Sequence, residues 1–373
     1  MNDHVFIAGC GICTPLGNTP QEVYRAVREG RSALRLYPAG FFGSAEPVFA
    51  SLFPREPFEG KSLFQTICVQ AARSAMEEAG IPVPSDRTGL VVCSVKGDID
   101  ALGKADVTLA ASARKIADAL GVTTPPLVVS NACISGLAGL VQGRRLLLSG
   151  LYDQVIVVGA EVQSRFIVTG FQSLKALSEE ACKPFDAARK GLNLGEAAAA
   201  VVLTLGPTAT AETAHNGSMW EIVDGVIRND ANHISGPSRT GEGSYNALQY
   251  VLPLVDKEEI AFVSVHGTST LYNDEMEAIA LDRAGLTDVP ICALKGTFGH
   301  TMGAAGILES ILSMKACEDG IVLATRGFET LGVSRPVRVS AAEQPTRGNA
   351  FIKLLSGFGG VNGALLFRRR TKR

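Results

Sequence analysis

Short apolar runs alternate with amphipathic stretches from the first residues of the chain onwards. The stretch 5–17 predicts a buried strand followed by a turn, and 19–30 predicts a helix with Thr19 as its N-cap. Neither 33–60 nor 165–196 has a clear period, so both are predicted to be irregular. The same patterns predict further strands at 88–95, 127–129, 154–161 and 197–205, and further helices at 61–80, 105–120 and 134–149.

The alternation starts again after a polar interruption. The segment 206–217 is small, polar and rich in turn-forming residues, so it is predicted to be a linker. Strands and helices that alternate on both sides of it predict an α/β protein with two comparable halves. The second half is expected to contain strands at 218–227, 260–266, 290–294, 349–355 and 363–367, and helices at 241–255, 274–284 and 303–316.

Composition excludes several functional classes. The 373 residues are 46% hydrophobic and 19% charged, with a formal net charge of −2, so no electrostatic case for nucleic-acid binding exists. The basic tail 368–373 is expected to be solvated, although it could also attract an acidic partner protein. No run of eighteen apolar residues occurs and the first residues do not resemble a signal peptide, so neither a membrane span nor secretion is expected.

The cysteines predict reduced thiols in a cytoplasmic protein. Cys10 and Cys13 form a CxxC pair, but no second pair or histidine pair follows at zinc spacing, so no metal site is expected. The glycines at 9 and 11 do not continue into a dinucleotide-binding loop, because Thr14 occupies the place of the third glycine.

A small-residue turn at Cys133 joins the strand 127–129 to the helix 134–149. A thiol at this place lies near unpaired helix N-terminal amides, which favour the thiolate. A sharp strand-to-helix turn also suits a nucleophile. Free cysteines are, however, often small buried hydrophobes, so this stretch alone leaves packing and catalysis equally open.

Three later strands also end in glycine-rich loops, at 266–270, 295–306 and 356–363. The first two contain His266 and His300, and strand-end loops in α/β proteins gather at ligand sites. Each histidine alone could be a hydrogen-bonded structural group. A thiol with two imidazoles could bind zinc, but the usual companion ligands are missing, and covalent acyl chemistry explains the set better.

With these motifs in place, the chain resembles the β-ketoacyl-acyl carrier protein synthases, in the elongating, two-histidine branch of the thiolase superfamily. The resemblance runs nearly end to end and rests on five ordered motifs: VFIAGCGICTPLGNTPQEVYRAVREGRSAL, KPFDAARKGLNLGEAAAAVVL, HGTSTLYND, LKGTFGHTMGAAG and GFGGVN. It implies a thiolase-like fold with two similar α/β halves in a five-layered α-β-α-β-α arrangement. The half 1–217 would carry the nucleophile and the half 218–373 the two histidines. A homodimer is implied, and a heterodimer stays open.

The resemblance also implies a decarboxylative Claisen condensation. Cys133 matches the nucleophile that takes the acyl group from a carrier-protein thioester. His266 and His300 match the pair that promotes loss of CO2 from a malonyl thioester and stabilises the enolate oxygen. Lys295 and Glu309 match residues that hold the orientation and protonation state of His300.

Other positions match residues around the substrate. The backbone amide of Phe358 matches one that completes an oxyanion hole with the amide of Cys133, and its ring matches a gate. Thr268 and Thr270 match contacts to the phosphopantetheine arm, and Phe171 matches an aromatic residue near the acyl pocket. No cofactor is expected on this chain, because the acyl carrier protein carries the phosphopantetheine.

Several further positions match the family without a catalytic role. Lys175 corresponds to a basic residue that faces the acidic carrier protein, or is a solvated lysine. His233 falls where the family has a histidine near the site. We expect structural roles or surface positions for Asp186, Arg189, Glu196, His4 and His215.

The chain departs from the family at positions that bear on its substrate. Ile134 and Ser135 follow the nucleophile where many relatives have a small residue and threonine, so Ile134 is expected to reshape acyl binding. The segment 192–194 and the loop 93–104 also differ. Fatty-acid, polyene and polyketide-type pathways therefore all stay open.

Two other functions remain to be weighed. A chain-length-factor-like subunit would share the fold but typically lacks the nucleophile, which is present here as Cys133. A CoA-dependent thiolase or an initiating synthase would have a second cysteine near the C-terminus or asparagine in place of one histidine. Here those places hold Phe358 and His300.

Overall fold

The structure, a computed structural model, describes residues 4–81, 83–206 and 218–371. The predicted linker from residue 207 onwards lies outside these ranges, as do His215 and the end of the basic tail. The boundary between halves after residue 217 therefore stays a prediction.

The helices largely follow the apolar periodicity. Helix α1 begins as predicted because Thr19 Oγ1 accepts a hydrogen bond from the backbone N–H of Glu22 at 3.2 Å. The α-helices are α1 Pro20–Arg28, α2 Leu63–Glu78, α3 Leu109–Leu120, α4 Ser135–Leu148, α5 Arg165–Ser173, α6 Glu242–Val251, α7 Leu271–Arg283, α8 Lys295–Phe298 and α9 Ala305–Glu318. Short 3₁₀ turns occupy Glu56–Phe58, Ile99–Ala101, Leu252–Leu254, Lys257–Glu259 and Met302–Ala304.

Apart from the edge strand Arg338–Val339, which was not predicted, the strands of the main sheet lie at or near the predicted stretches. The strands are β1 Val5–Cys13, β2 Arg35–Tyr37, β3 Val48–Ser51, β4 Thr88–Cys93, β5 Leu127–Val129, β6 Gln154–Glu161, β7 Leu194–Gly195, β8 Ala197–Leu205, β9 Ser218–Asn229, β10 Ile260–Ser264, β11 Pro290–Cys292, β12 Ile321–Val322, β13 Arg338–Val339, β14 Gln344–Pro345, β15 Ala350–Gly357 and β16 Val361–Thr371.

The main sheet contains the same strand order twice. Within the described residues its order is β13-β11-β10-β15-β16-β9-β1-β8-β6-β4-β5. In the first half β8 is antiparallel to β1 and β6, while β4 is parallel to β6 and β5. In the second half β16 is antiparallel to β9 and β15, while β10 is parallel to β15 and β11. The prediction of two similar α/β halves is confirmed.

An antiparallel pairing joins the halves along the chain's first strand. Val5 lies opposite Ile222, and Ile7 lies opposite Trp220. The sheet is therefore continuous from one half to the other.

The helices form layers on and between the two halves of the sheet. The central cluster joins Leu140 of α4 and Ile311 of α9 to strand residues from both halves. A second cluster packs α2 and α3 on the outer face of the first half, and a third packs α6 and α7 on the outer face of the second. These clusters confirm the predicted α-β-α-β-α arrangement.

Glycines let the two central helices approach closely. A Cβ atom at Gly306 of α9 would lie only 2.3 Å from the backbone nitrogen of Leu137 in α4. A Cβ atom at Gly136 would lie 2.6 Å from the carbonyl oxygen of Gly303. Glycine is therefore required at this contact, which lies beside the turn that carries Cys133.

Two segments that were predicted to be irregular contain regular structure. The segment 33–60 contributes β2 and β3, which form a small sheet with β7. The segment after 165 begins with α5, although its Ile, Val, Thr and Gly have low helix propensity. Ser164 caps this helix, and its buried residues Ile167, Val168 and Phe171 pack into an apolar cluster with Cys133, so packing outweighs propensity.

No helix in the described ranges is long and apolar enough to cross a membrane.

Candidate active site

Cys133 lies in the turn between β5 and α4, as predicted. Ala132, the residue before it, has a φ of +47°, which is an uncommon conformation for a residue with a side chain. The Ser135 hydroxyl fixes this turn, because it donates to the Ala132 carbonyl at 2.6 Å and accepts from the Asn131 N–H at 2.8 Å. The chain thus holds the thiol at the start of the central helix α4.

Cys133 is 6% exposed and lies beside a second glycine-rich turn. A Cβ atom at Gly357 would lie 3.1 Å from the Cys133 backbone nitrogen, so glycine lets this turn lie against the thiol. Burial raises the pKa of Cys133 to about 11, against the opposing effects of the Lys295 charge and of hydrogen bonds from the backbone N–H groups of Phe358 and Cys133. The sulfur is therefore mainly a thiol at neutral pH, with two backbone N–H groups directed at it.

The two histidines come together beside this thiol. Their ring centroids are 5.0 Å apart and the rings are nearly perpendicular. His300 Nδ1 accepts a hydrogen bond from the Met302 N–H at 3.3 Å, which assigns the proton of a neutral ring to Nε2. His300 Nε2 and His266 Nδ1 are buried and have no hydrogen-bond partner among the described residues.

Both imidazoles are neutral in this environment. Burial, followed by the positive charges of Lys295 and Lys353, holds the pKa values of His266 and His300 well below the usual range. A neutral imidazole has one N–H to donate. In His300 this N–H is on Nε2, which makes no hydrogen bond to any described residue.

Backbone contacts fix the loops that carry the histidines. The Glu277 carboxylate accepts from the N–H groups of His266 at 2.6 Å and Gly267 at 2.7 Å. The N–H of His300 donates to the carbonyl of Asn193 at 2.7 Å. Asn193 belongs to the segment 192–194, so this departure from the family pattern lies directly against one histidine.

Lys295 and Glu309 lie behind the histidines and do not line the cavity described below. Lys295 Nζ donates to Glu309 Oε1 at 2.9 Å and to the carbonyl oxygen of His266 at 2.7 Å. Its hydrogen bond therefore holds the backbone of His266, whereas its effect on His300 is electrostatic. Lys353, which we did not single out in the sequence, pairs with the other oxygen of Glu309 at 2.5 Å.

A cavity of about 900 Å³ leads to these groups. Phe171 and Phe358 stack across it with ring centroids 5.7 Å apart, and Thr268 and Thr270 share a hydrogen bond of 2.9 Å. The predicted site residues that line it are Cys133, Phe171, Lys175, His233, His266, Thr268, Thr270, His300 and Phe358.

Cys133 belongs to a cluster of buried apolar side chains. Ile167, Phe171, Leu192 and Met302 belong to the same buried cluster as the thiol. Ile134, by contrast, lies fully buried in the central cluster and not on the cavity wall. Its side chain adjoins the packing between α4 and α9.

The remaining predicted positions lie in hydrogen-bond networks or at the surface. Asp186 accepts from the N–H groups of residues 188, 329 and 330, and Arg189 donates to the Gly332 carbonyl. Glu196 is buried and forms an ion pair with the partly exposed Arg55 at 2.6 Å. His4 is exposed beside Glu221, and the exposed His233 ring accepts from the Ser235 and Gly236 N–H groups.

Glu161 is a buried carboxylate that was not predicted from the sequence. It accepts from Ser94 Oγ at 3.0 Å, from the Val95 N–H at 2.9 Å and from the Gly303 N–H at 3.1 Å. Burial raises its pKa to about 7, although these hydrogen bonds act in the opposite direction. It ties the start of the unusual loop 93–104 to the turn that follows His300.

The ranges that the structure describes contain no candidate metal site. No three His, Cys, Asp or Glu side chains there are arranged to hold an ion. All eight cysteines lie in these ranges and are free.

Comparison with known proteins places the chain among condensing enzymes. Residues 2–209 match the family model for the beta-ketoacyl synthase N-terminal domain, and residues 219–329 match that for the C-terminal domain. The 3-oxoacyl-[acyl-carrier-protein] synthase 2 of Vibrio cholerae is 28% identical over 415 residues, covering 98% of this chain and 99% of that protein.

Solved structures have the same fold. A beta-ketoacyl synthase from Burkholderia phymatum has a TM-score of 0.86 at 25% identity, covering 98% of this chain and 99% of that one. A ketosynthase in complex with its chain length factor from Xenorhabdus doucetiae has a TM-score of 0.82 at 22% identity, covering 98% of each chain.

Proposed function

Since the chain belongs to the β-ketoacyl synthase family, we propose that it is a 3-oxoacyl-acyl carrier protein synthase. It joins an acyl group held on Cys133 to the two carbons that a malonyl thioester donates after losing CO2. The observation that carries the proposal is that Cys133, His266 and His300 line one cavity. The backbone N–H groups of Cys133 and Phe358 also lower the pKa of the thiol.

In the first step Cys133 Sγ attacks the carbonyl carbon of an acyl thioester on the carrier protein. The N–H groups of Cys133 and Phe358 stabilise the negative oxygen of the tetrahedral intermediate. The carbon–sulfur bond to the carrier then breaks, and the thiol proton of Cys133 ends on the released phosphopantetheine thiol. Because the thiol pKa is about 11, only a small fraction of Cys133 is thiolate at neutral pH, and this fraction makes the attack.

In the second step a malonyl thioester occupies the vacated cavity. Loss of CO2 leaves an enolate, and neutral imidazole N–H groups stabilise its oxygen. The enolate carbon attacks the acyl carbonyl on Cys133, the bond to sulfur breaks, and the product leaves as a 3-oxoacyl thioester on the carrier. The unpartnered nitrogens of His266 and His300 support this role.

The cavity supplies places for both parts of the substrate. Thr268 and Thr270 contact the phosphopantetheine arm, and the stacked rings of Phe171 and Phe358 gate the way to the apolar cluster around Cys133. This cluster holds the acyl chain. No cofactor is needed on the chain itself, because the arm arrives with the carrier protein.

The carrier protein docks at the mouth of this cavity. Lys175 and Arg239 contribute positive charge there and would attract an acidic partner. The name of the Vibrio cholerae relative includes the acyl carrier protein as substrate carrier. Fatty-acid, polyene and polyketide-type pathways remain the candidate contexts.

We further propose that the protein is a dimer in the cytoplasm. The free state of its eight cysteines agrees with a reducing compartment. A second copy of this chain is the expected partner. A chain-length-factor-like partner is the alternative, because the Xenorhabdus doucetiae ketosynthase is in complex with such a chain.

Intact-mass spectrometry with a panel of acyl-carrier thioesters tests the proposal. The chain should gain the mass of an acyl group, and the Cys133→Ala variant should gain none. The preferred acyl group reports the chain length. No adduct with any thioester, from a natively folded chain, would favour the partner-subunit function over the synthase.

A further inference from the structure

Lys353 lies in the middle of β15 with a fully buried side chain. Its Nζ lies 3.1 Å from the carbonyl oxygens of Ser264 and Val265 and 2.5 Å from Glu309 Oε2, with the Ser264 hydroxyl at 3.2 Å. Two carbonyls and a carboxylate can only accept hydrogen bonds, and an ammonium group has three N–H groups to donate. The surroundings of Lys353 are therefore built for a charged ammonium.

Glu309 binds two lysines at once. Lys295 Nζ contacts one carboxylate oxygen and Lys353 Nζ contacts the other, and all three side chains are buried. Two positive charges and one negative charge leave an excess of one positive charge. Burying a further charge is costly, and replacing a buried ion by an apolar residue is often neutral or stabilising. Fold stability alone therefore gives no reason for the second lysine.

The triad is connected to the catalytic loop through three successive carbonyl groups. Lys353 binds the carbonyls of residues 264 and 265, and Lys295 binds the carbonyl of His266. The two lysines of the triad thus bind three successive carbonyl groups of the backbone that ends β10 and positions the His266 imidazole.

We propose, on the basis of the proposed synthase function, that Lys353 is a positioning residue for the two histidines. Together with Lys295 and Glu309 it fixes the backbone that leads to His266. It also supplies positive charge that adds to the effects of burial and of Lys295 in keeping both imidazoles neutral, so that their N–H groups stay available to the enolate oxygen. The excess positive charge is therefore close to the two imidazoles that are proposed to stabilise the negative charge created by decarboxylation.

The charged and titratable groups around the triad come from several elements. Glu309 comes from α9, Lys295 from α8, Cys292 from β11, and Glu277 from α7 faces Lys295. The imidazoles lie in front of them. Positive charge on Lys295 and Lys353 lowers the pKa of each imidazole, so removal of one charge raises both.

The test compares three variants of the full chain. Lys353→Met removes the extra charge, and Lys353→Arg retains it. The double variant Lys353→Met/Glu309→Gln restores an excess of one positive charge, because it removes one charge of each sign. Lys257→Met is the matched control, because it removes a lysine that forms an exposed ion pair with Asp288.

The first measurement is the titration of the histidine rings by NMR on ¹³C-histidine-labelled protein, which has five histidines to assign. In Lys353→Met the signals of His266 and His300 should begin to move at higher pH than in the wild type. In Lys353→Arg, in the double variant and in Lys257→Met, the signals of both histidines should begin to move near the same pH as in the wild type. A purely structural lysine would not produce this pattern.

The second measurement separates the two chemical steps. Malonyl decarboxylation by Lys353→Met should fall by about tenfold or more, as is usual when a residue that orients a catalytic side chain is lost. Acylation of Cys133 should change by less than about threefold, because Lys353 touches neither the sulfur nor the two N–H groups.

Several results would overturn the proposal. These are unchanged histidine titrations in a folded Lys353→Met variant, equal loss of both chemical steps, or failure of both Met-containing variants to fold. The last result would make Lys353 a structural residue. Inactive wild-type protein would instead overturn the proposed function, and the titrations would still report on the triad.

Discussion

Gly357 offers a direct test of the two N–H groups at Cys133. In Gly357→Ala the new methyl group would lie 3.1 Å from the backbone nitrogen of Cys133 and 3.2 Å from Ala132 Cβ. These contacts are tighter than most, so the turn has to move away by a few tenths of an ångström. The Phe358 N–H, which follows directly in the chain, moves with it.

The size of the effect follows from the size of this displacement. Complete loss of one oxyanion donor slows acyl transfer by roughly 100- to 1,000-fold. A displacement of this kind lengthens the hydrogen bond without removing it. We therefore expect Cys133 acylation to slow by about tenfold, which corresponds to about 1.4 kcal/mol in the activation free energy.

The assay is the single-turnover rate at which Cys133 gains an acyl group from a carrier thioester, followed by intact mass. Gly170→Ala is the control, because a Cβ atom there meets no atom within 4 Å, and its rate should equal that of the wild type. A Gly357→Ala variant with native thermal unfolding and the wild-type acylation rate would refute the proposed oxyanion hole.

Three further predictions concern other parts of the site and the fold. His300→Ala should slow malonyl decarboxylation more than Cys133 acylation, measured separately by CO2 release and intact mass; equal losses would contradict its role with the enolate. The rate of Cys133 acylation should rise with pH across the neutral range, because a thiol with a pKa of about 11 is mainly protonated there. An acylation rate that does not change with pH in stopped-flow measurements would contradict rate-limiting attack by the thiolate. Gly306→Ala places a methyl group 2.3 Å from the Leu137 nitrogen, so it should lower the free energy of unfolding by about 1–3 kcal/mol in urea titrations. Unchanged stability would show that the contact between α4 and α9 can widen without cost.

The sequence predicts the regular frame of this protein because apolar periodicity records burial. The strands β5, β6 and β8 have the predicted bounds, since each is a short run between polar or glycine-rich segments. Helix α5 escapes this reasoning because its residues favour other conformations when isolated. Its formation depends on a distant partner, the apolar cluster around Cys133.

The active site likewise contains residues that the sequence predicts and residues that it does not. The thiol and both imidazoles were predictable, because each follows a strand and lies in a distinctive loop. Lys353 was not, since a lysine within the apolar stretch NAFIKLL gives no indication of whether it faces solvent or a buried carboxylate. Ile134 could not be placed from the sequence either: it is next to Cys133, yet its side chain is buried in the central cluster and not on the cavity wall.

The order of strands in the sheet also bears on how the protein matures on the ribosome. The first half of the chain, which carries Cys133, is synthesised long before β15 and β16. Yet β16 inserts between β15 and β9, and β9 pairs with the first strand of the protein. The Phe358 N–H and the histidine loops therefore reach the thiol only when the last strands are in place. A nascent or truncated chain that lacks β15 and β16 is therefore expected to hold Cys133 without the Phe358 N–H beside it.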